Sequence, residues 1–256
     1  MAHGGRRGRS TLCVFFSSSA TIAVMTRLIL ALFLVLLSER PAQSTTLIAV
    51  TTRAALSVDE TLDWGEFGPA DTDIVSGSTL TMASGLIVTV SQPYYGLQVR
   101  QEDLPANLSG SWSGDFLPYQ YLLTNWNSPF PVTLSFSQPI FGAGVQIEPG
   151  QVDDLPAPFT AYVTAYDGST IVGQFSTDGI RSRDDNGSAP FLGVSSDTAA
   201  ITSLTYRVVT QTNGTQAGDL GMNFLSIESV APVPEPCSIL LVVGSLAMLR
   251  RRTTTK

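Results

Sequence analysis

Short segments of alternating apolar and polar residues recur through the middle of the chain, from Thr45 to Ala231. In Pro131 to Phe136 (PVTLSF) and Phe159 to Tyr166 (FTAYVTAY), apolar side chains occupy every second position. This is the period of a β-strand with one buried face. Asp167-Gly168-Ser169 separates the second segment from Thr170 to Phe175 (TIVGQF), and turn residues between two strand patterns predict a hairpin.

Other strand patterns fill most of the remaining region. We predict them at 79–82, 86–90, 120–123, 144–147, 191–194, 204–209 and 223–230. Nearly every gap between them contains Gly, Pro, Asn or Asp, and no window shows a helical period. Ten or more short strands in one region predict an all-β fold, a β-sandwich or jelly roll over residues 45–231.

The charge of this region is strongly acidic. Residues 45–231 contain nineteen Asp or Glu and five Arg, a net charge of −14, and the chain's single lysine is Lys256. An acidic surface repels polyphosphate backbones, so nucleic acid is excluded as a partner. A plain solvated surface and the binding of multivalent cations both remain open.

Cysteine and histidine occur only near the two ends of the chain. Cys13, Cys237 and His3 lie outside residues 45–231. The β-rich region therefore has no disulfide, no thiol nucleophile, no histidine base and none of the usual zinc ligand sets.

The beginning of the chain has the features of an export signal. Arg27 precedes an apolar run of ten residues, Leu28 to Leu37, and the small residues of Ala42-Gln43-Ser44 follow. A positive flank, a short apolar run and a small-residue cleavage site predict a signal peptide over residues 1–44. Met25 is well placed to be the true start.

The end of the chain has three parts in a fixed order. Pro234, Glu235 and Pro236 form an extended, exposed peptide, because the prolines disfavour a helix. The apolar segment 237–249 (CSILLVVGSLAML) is predicted to be a short membrane helix, although a stable span needs about 20 residues. An arginine cluster then marks the cytoplasmic side of the membrane. This cluster consists of Arg250, Arg251 and Arg252.

Residues 232–256 thus resemble the PEP-CTERM sorting signal of Gram-negative bacteria. Cys237 follows the Pro-Glu-Pro motif directly and Thr253 to Lys256 extend past the arginines, which are small departures from the pattern. The resemblance implies processing by signal peptidase and by exosortase, a transpeptidase-like cysteine protease. It also implies a transient anchor in the inner membrane, and a final location at the cell surface or in the extracellular matrix. Proteins of this family are associated with exopolysaccharide and biofilm.

Aromatic residues are dense in one loop-rich stretch, and exposed aromatic rings can stack on sugars. The candidate glycan-binding residues are Trp112, Tyr119, Tyr121 and Trp126, with Tyr94 and Tyr95 shortly before them. The alternative is that these rings fill the core, since each aromatic side chain buries a large apolar area.

An acidic loop is the candidate metal site. Asp184, Asp185 and Asn186, followed by Gly187, have the composition of a partial calcium loop without the spacing of an EF-hand. A structural calcium ion would be the only cofactor, and a plain solvated loop is the alternative.

These observations favour an exported, non-enzymatic envelope protein whose β-sandwich binds polysaccharide or another matrix component. One alternative is an extracellular polysaccharide-active enzyme that uses an Asp/Glu pair, such as Asp153 and Asp154. The other is a purely structural or adhesive matrix protein with no small ligand.

Overall fold

The computed structural model describes residues 45–94, 96–104, 108–125, 128–150, 155–211 and 219–229. Within these ranges most of the backbone is extended, and the helical elements are two short 3₁₀ helices, Arg53–Ala55 and Trp64–Phe67. None of the helices in these ranges is long and apolar enough to cross a membrane. The signal peptide and the sorting signal, expected in 1–44 and 232–256, lie outside the described residues.

The first sheet has ten strands. Strand numbers follow the chain and include the strands of both sheets. The ten strands are β1 (Leu47–Val50), β2 (Glu60–Leu62), β3 (Asp73–Ile74), β6 (Leu97–Glu102), β7 (Ser111–Trp112), β8 (Tyr121–Asn125), β10 (Gly142–Pro149), β13 (Phe191–Ser196), β15 (Leu220–Met222) and β16 (Leu225–Glu228). The main path runs β1-β13-β10-β15-β8-β6-β3. Strand β16 pairs with β10 and β2, and β7 lies parallel to β6.

Six strands form the second sheet, in which all neighbours are antiparallel. They are β4 (Ser78–Thr81), β5 (Ile87–Ser91), β9 (Val132–Ile140), β11 (Ala157–Asp167), β12 (Thr170–Arg181) and β14 (Ile201–Thr210). Their order across the sheet is β12-β11-β14-β9-β5-β4.

The longest pairing is the hairpin of β11 and β12, which confirms the prediction from the sequence. Asp167 pairs with Thr170, so the loop consists of Gly168 and Ser169. Gly168 has a φ of +58°, a conformation that glycine adopts without steric cost. Strand β12 continues to Arg181, well beyond the predicted end at Phe175, and brings Arg181 to the edge of the acidic loop.

The two sheets share one hydrophobic core. Along β11, Phe159, Ala161 and Val163 are buried, whereas the side chains between them are partly exposed. The same core cluster contains apolar side chains of the first sheet, among them Leu97, Val99, Leu123, Val145 and Ile147. Two sheets that bury their inner faces against each other make a sandwich-like fold, so the all-β prediction is confirmed.

Strand β6 was not predicted from the sequence, although it positions both of the sites described below. Leu97 and Val99 point into the main core, but Arg100 and Glu102 are also buried. Because charged side chains occupy buried positions, the strand lacks the apolar alternation that marks β9 and β11. One end of β6 borders a groove, and the other end carries Glu102 into a cluster of carboxylates.

Candidate functional site

A groove of about 890 Å³ lies where two connections cross between the sheets. The connection from β3 to β4 supplies one wall, and the connection from β5 to β6 supplies the other. We call this feature the tyrosine groove; its lining residues are Asp73, Ile74, Val75, Ser76, Gln92, Pro93, Tyr94, Gly96 and Leu97. Its volume is in the range of protein sites that hold small ligands or short oligomers.

The Ser76 hydroxyl ties the two walls of the groove together. Its Oγ accepts a hydrogen bond from the backbone N–H of Gln92 at 3.0 Å and donates one to the Gln92 carbonyl at 2.8 Å. Next to it, the N–H of Gly77 donates to the carbonyl of Val90 at 2.8 Å. These hydrogen bonds fix the two walls of the groove relative to each other.

Tyr94 is the aromatic residue among the described lining residues of the groove. One side of its ring stacks on Phe130, with ring centroids 4.2 Å apart and an interplanar angle of 28°. The residue is nevertheless 59% exposed, so part of its surface remains available to a ligand. An aromatic ring fixed by stacking presents a flat apolar surface with little loss of conformational entropy on binding.

Polar groups surround this ring. Asp73 is exposed at the rim, and its Oδ1 accepts a hydrogen bond from Nε2 of Gln98 at 2.9 Å. Gln92 is only 5% exposed, and neither its amide oxygen nor its amide nitrogen has a hydrogen-bond partner. A buried amide without partners is costly, so a ligand that reaches it gains free energy by satisfying it.

The four predicted glycan-binding residues are placed differently from one another. Trp112 is 6% exposed and belongs to a small core cluster with Phe116, Leu122 and Ala189, so its ring is not a surface platform. Tyr121 is half-buried and its ring packs on the backbone at Gly65. Tyr119 is 66% exposed, and Trp126 lies outside the described residues.

A second feature, the carboxylate cluster, lies at the far end of β6. It contains Glu102 from β6, Glu148 from β10, Asp115 from the β7–β8 connection and Asp185 from the loop after β12. Arg181, which is 4% exposed, is its buried cation and approaches Glu148 with 3.7 Å between Nε and Oε1. The first three carboxylates are all fully buried.

Glu148 has clear hydrogen-bond partners within this cluster. Nε1 of Trp112 donates to Oε1 of Glu148 and the N–H of Asp115 donates to Oε2, each at 3.1 Å. Burial raises the pKa of Glu148 to about 7, although Arg181 opposes the rise. Gly114 stands against this carboxylate, and a Cβ there would overlap it.

Asp115 organises the acidic loop. Its carboxylate accepts hydrogen bonds from the N–H groups of Ser182, Arg183 and Asp184 and from the Ser182 hydroxyl, at 2.6 to 3.1 Å. Burial alone would raise the pKa of Asp115, but these donors outweigh it and hold the pKa below its ordinary value. The loop is thus fixed in place by a residue far away in the sequence.

Glu102 has the most perturbed carboxyl group of the cluster. Its Oε1 accepts from the N–H of Gly114 at 2.8 Å, whereas Oε2 has no partner. Asp185 is a hydrogen-bonding neighbour of this carboxyl group, and Oδ1 of Asp185 also has no partner. Burial, together with the carboxyl groups of Asp185 and Glu148, raises the pKa of Glu102 to about 9.

The predicted calcium residues do not come together as one set of ligands. Asp184 and Asn186 are exposed, while Asp185 is half-buried and turns toward Glu102. Nowhere in the part of the chain that the structure describes are three or more His, Cys, Asp or Glu residues grouped to hold a metal ion. The alternative catalytic pair, Asp153 and Asp154, lies outside the described residues.

Comparison with known proteins adds little to this geometry. The chain matches no family model and no curated protein. One solved structure, TmCBM61 in complex with β-1,4-galactotriose, aligns with 55% of this chain and 88% of its own, at 12% identity and a TM-score of 0.23. A TM-score this low is evidence for neither fold nor ligand, and the galactotriose is a property of that protein.

Proposed function

We propose that the β-sandwich is a non-catalytic module that binds a neutral polysaccharide in the tyrosine groove. The observation that carries the proposal is the Tyr94 ring, held against Phe130 at the mouth of a groove of about 890 Å³. A sugar ring stacks on such a surface through its C–H face, while its hydroxyls meet the polar groups around it.

Three polar groups of the groove suit sugar hydroxyls. Asp73 offers a carboxylate at the rim, and Ser76 offers a hydroxyl on one wall. The buried Gln92 amide has no hydrogen-bond partner and belongs to a residue that lines the groove, so it is the third candidate. Together they place both donors and acceptors beside an apolar ring, which is the combination that sugar recognition needs.

The charge of the chain selects against acidic polymers. The described lining of the groove contains Asp73 and no arginine, lysine or histidine. A uronate-rich polymer would place carboxylates beside Asp73 and next to a strongly acidic domain, and like charges repel. The groove therefore favours an uncharged polysaccharide.

Replacing Tyr94 with alanine is expected to weaken polysaccharide binding at least tenfold, because it removes the stacking surface. The measurement is affinity electrophoresis of the full-length protein through gels that contain either a neutral or a uronate-rich exopolysaccharide. Tyr119→Ala is the matched control, since Tyr119 is also an exposed tyrosine but lies near the opposite end of β6. It should bind like the wild type.

The variant Gln92→Met tests polysaccharide binding without a loss of folding stability. Because the amide has no partner in the folded protein, its removal should leave the free energy of unfolding unchanged or raise it by about 1 kcal/mol. The same variant should bind polysaccharide more weakly. Unchanged binding by both Tyr94→Ala and Gln92→Met would rule out the groove, and shortening of the polymer over a day would favour the enzymatic alternative.

We also propose that the chain is exported and sorted through its C-terminal tail, as its Pro-Glu-Pro motif, apolar segment and arginine cluster suggest. Replacing Pro234 and Glu235 with alanine should leave an uncleaved protein in the membrane fraction of a host that has exosortase. The readout is the size of the protein on an immunoblot of membrane and extracellular fractions. Normal cleavage of the double variant would contradict the sorting proposal.

A further inference from the structure

The carboxylate cluster has more carboxyl groups than its protein donors and its buried arginine satisfy. Asp115 is satisfied by four donors of the acidic loop, and Glu148 by Arg181, Trp112 and a backbone N–H. Among the residues that the structure describes, no cation forms a salt bridge with Glu102 or Asp185. Ionised carboxylates in a protein interior are unstable unless a positive charge or a proton neutralises them.

The two oxygens without partners belong to this neighbouring pair. Oε2 of Glu102 and Oδ1 of Asp185 are both buried, and neither accepts a hydrogen bond from an N–H or hydroxyl group of the described residues. The two carboxyl groups are hydrogen-bonding neighbours of each other. Glu102 is fully buried on β6, so its carboxyl group is held in place by the surrounding protein and does not contact solvent. The surrounding backbone holds the pair in place, because Gly114 donates to Glu102 and accepts from the N–H of Asp185 at 3.1 Å.

We propose that Glu102 and Asp185 bind a hard divalent cation of the calcium type. The two carboxylates supply the protein oxygens, and water on the partly open side of Asp185 completes the shell, since calcium accepts six to eight oxygen ligands in flexible geometry. Such an ion would tie the loop after β12 to the end of β6. This inference is independent of the polysaccharide proposal, because the two features lie at opposite ends of that strand.

Calcium should stabilise the full-length protein, purified in mild detergent and freed of metals by a chelating resin. At calcium concentrations about 100-fold above the dissociation constant, the melting temperature should rise by about 5–10 °C. Terbium provides a direct probe of the site, because Trp112 pairs with Glu102 across β7 and β6 and can transfer excitation to a bound lanthanide. Saturable terbium luminescence that calcium displaces is the expected result.

Glu102→Gln and Asp185→Asn should each abolish the calcium-induced shift and the terbium signal. In the presence of a chelator both variants should be about as stable as the wild type, since each amide has nearly the shape of the carboxyl group that it replaces. Asp184→Asn is the matched control, because Asp184 is the exposed neighbour in the same loop, and it should retain both responses. The proposal is overturned if calcium produces no saturable shift, or if Asp184→Asn loses the response and Glu102→Gln keeps it.

Discussion

Replacing Arg181 with methionine is expected to lower the free energy of unfolding by about 3–5 kcal/mol at pH 8. The substitution leaves Glu148 fully buried without its cation, and it also removes the hydrogen bond from Nη2 of Arg181 to the carbonyl of Ser113 at 2.6 Å. Methionine retains most of the side-chain volume, so a cavity contributes little to the change. Urea denaturation of the full-length protein measures the effect.

The cost of this substitution should depend on pH. Below pH 6, Glu148 is protonated in the variant and no longer needs a cation, so the loss of stability should shrink. The double variant Arg181→Met/Glu148→Gln should recover a large part of the loss at pH 8. Arg183→Met is the control, because Arg183 is exposed and its removal should change stability by less than about 0.5 kcal/mol. Equal effects of Arg181→Met and Arg183→Met would contradict the buried pairing.

In the presence of a chelator, stability should fall by at least about 2 kcal/mol as the pH rises from 5 to 9. The pKa of Glu102 is about 9 and that of Glu148 about 7 in the folded protein, both above the ordinary value of 4.5. Between pH 4.5 and about 9 the folded state therefore binds more protons than the unfolded state. The stabilisation that comes from protonating Glu102 and Glu148 is complete below pH 4.5, and it is lost as the pH rises through the folded-state pKa of each group.

Glu102→Gln should remove most of this pH dependence, because it deletes the carboxyl group with the largest shift. Chemical denaturation at a series of pH values, with chelator throughout, provides the profile. Saturating calcium should also flatten the profile if Glu102 and Asp185 hold the ion, since the ion replaces the proton. A wild-type profile that is flat, or that rises between pH 5 and 9, would show that Glu102 is ionised in the folded state without penalty.

Periodicity predicted the second sheet well. Strands β9 and β11 were expected close to where they occur, because each has one face in the core and one toward solvent. The start of β12 at Thr170 was also expected, but not its end at Arg181. The hairpin loop at Gly168 was also predicted, since its turn residues separate two clear alternating segments. These features depend on neighbours in the sequence, so the sequence alone is sufficient to recognise them.

The first sheet was harder to predict. Strands β1, β2, β3, β6, β7 and β15 were missed, and all of them except β6 have only two to four residues. Strand β6 is longer, but it buries Arg100 and Glu102. From the sequence alone a charged side chain is predicted to be exposed. Its burial can be recognised only when its partners are known, and those partners come from distant parts of the chain.

Aromatic residues show the same limitation. Trp112 and Tyr94 both occur in loop-rich, polar sequence, and Trp112 was one of the four candidate glycan-binding residues. In the structure Trp112 is enclosed by its small core cluster, whereas Tyr94 remains exposed on Phe130. The gap between strand patterns that contains Pro93 was the available signal for an exposed tyrosine.

The sequence by itself determined the all-β character of the domain, its acidic charge and the absence of histidine and cysteine from residues 45–231. Composition and short-range alternation are sufficient for these properties. Tertiary structure decided which aromatic rings are exposed and which carboxylates meet. Glu102, Glu148 and Asp185 come from separate elements, and only sheet pairing and the closure of the sandwich place them within reach of one another.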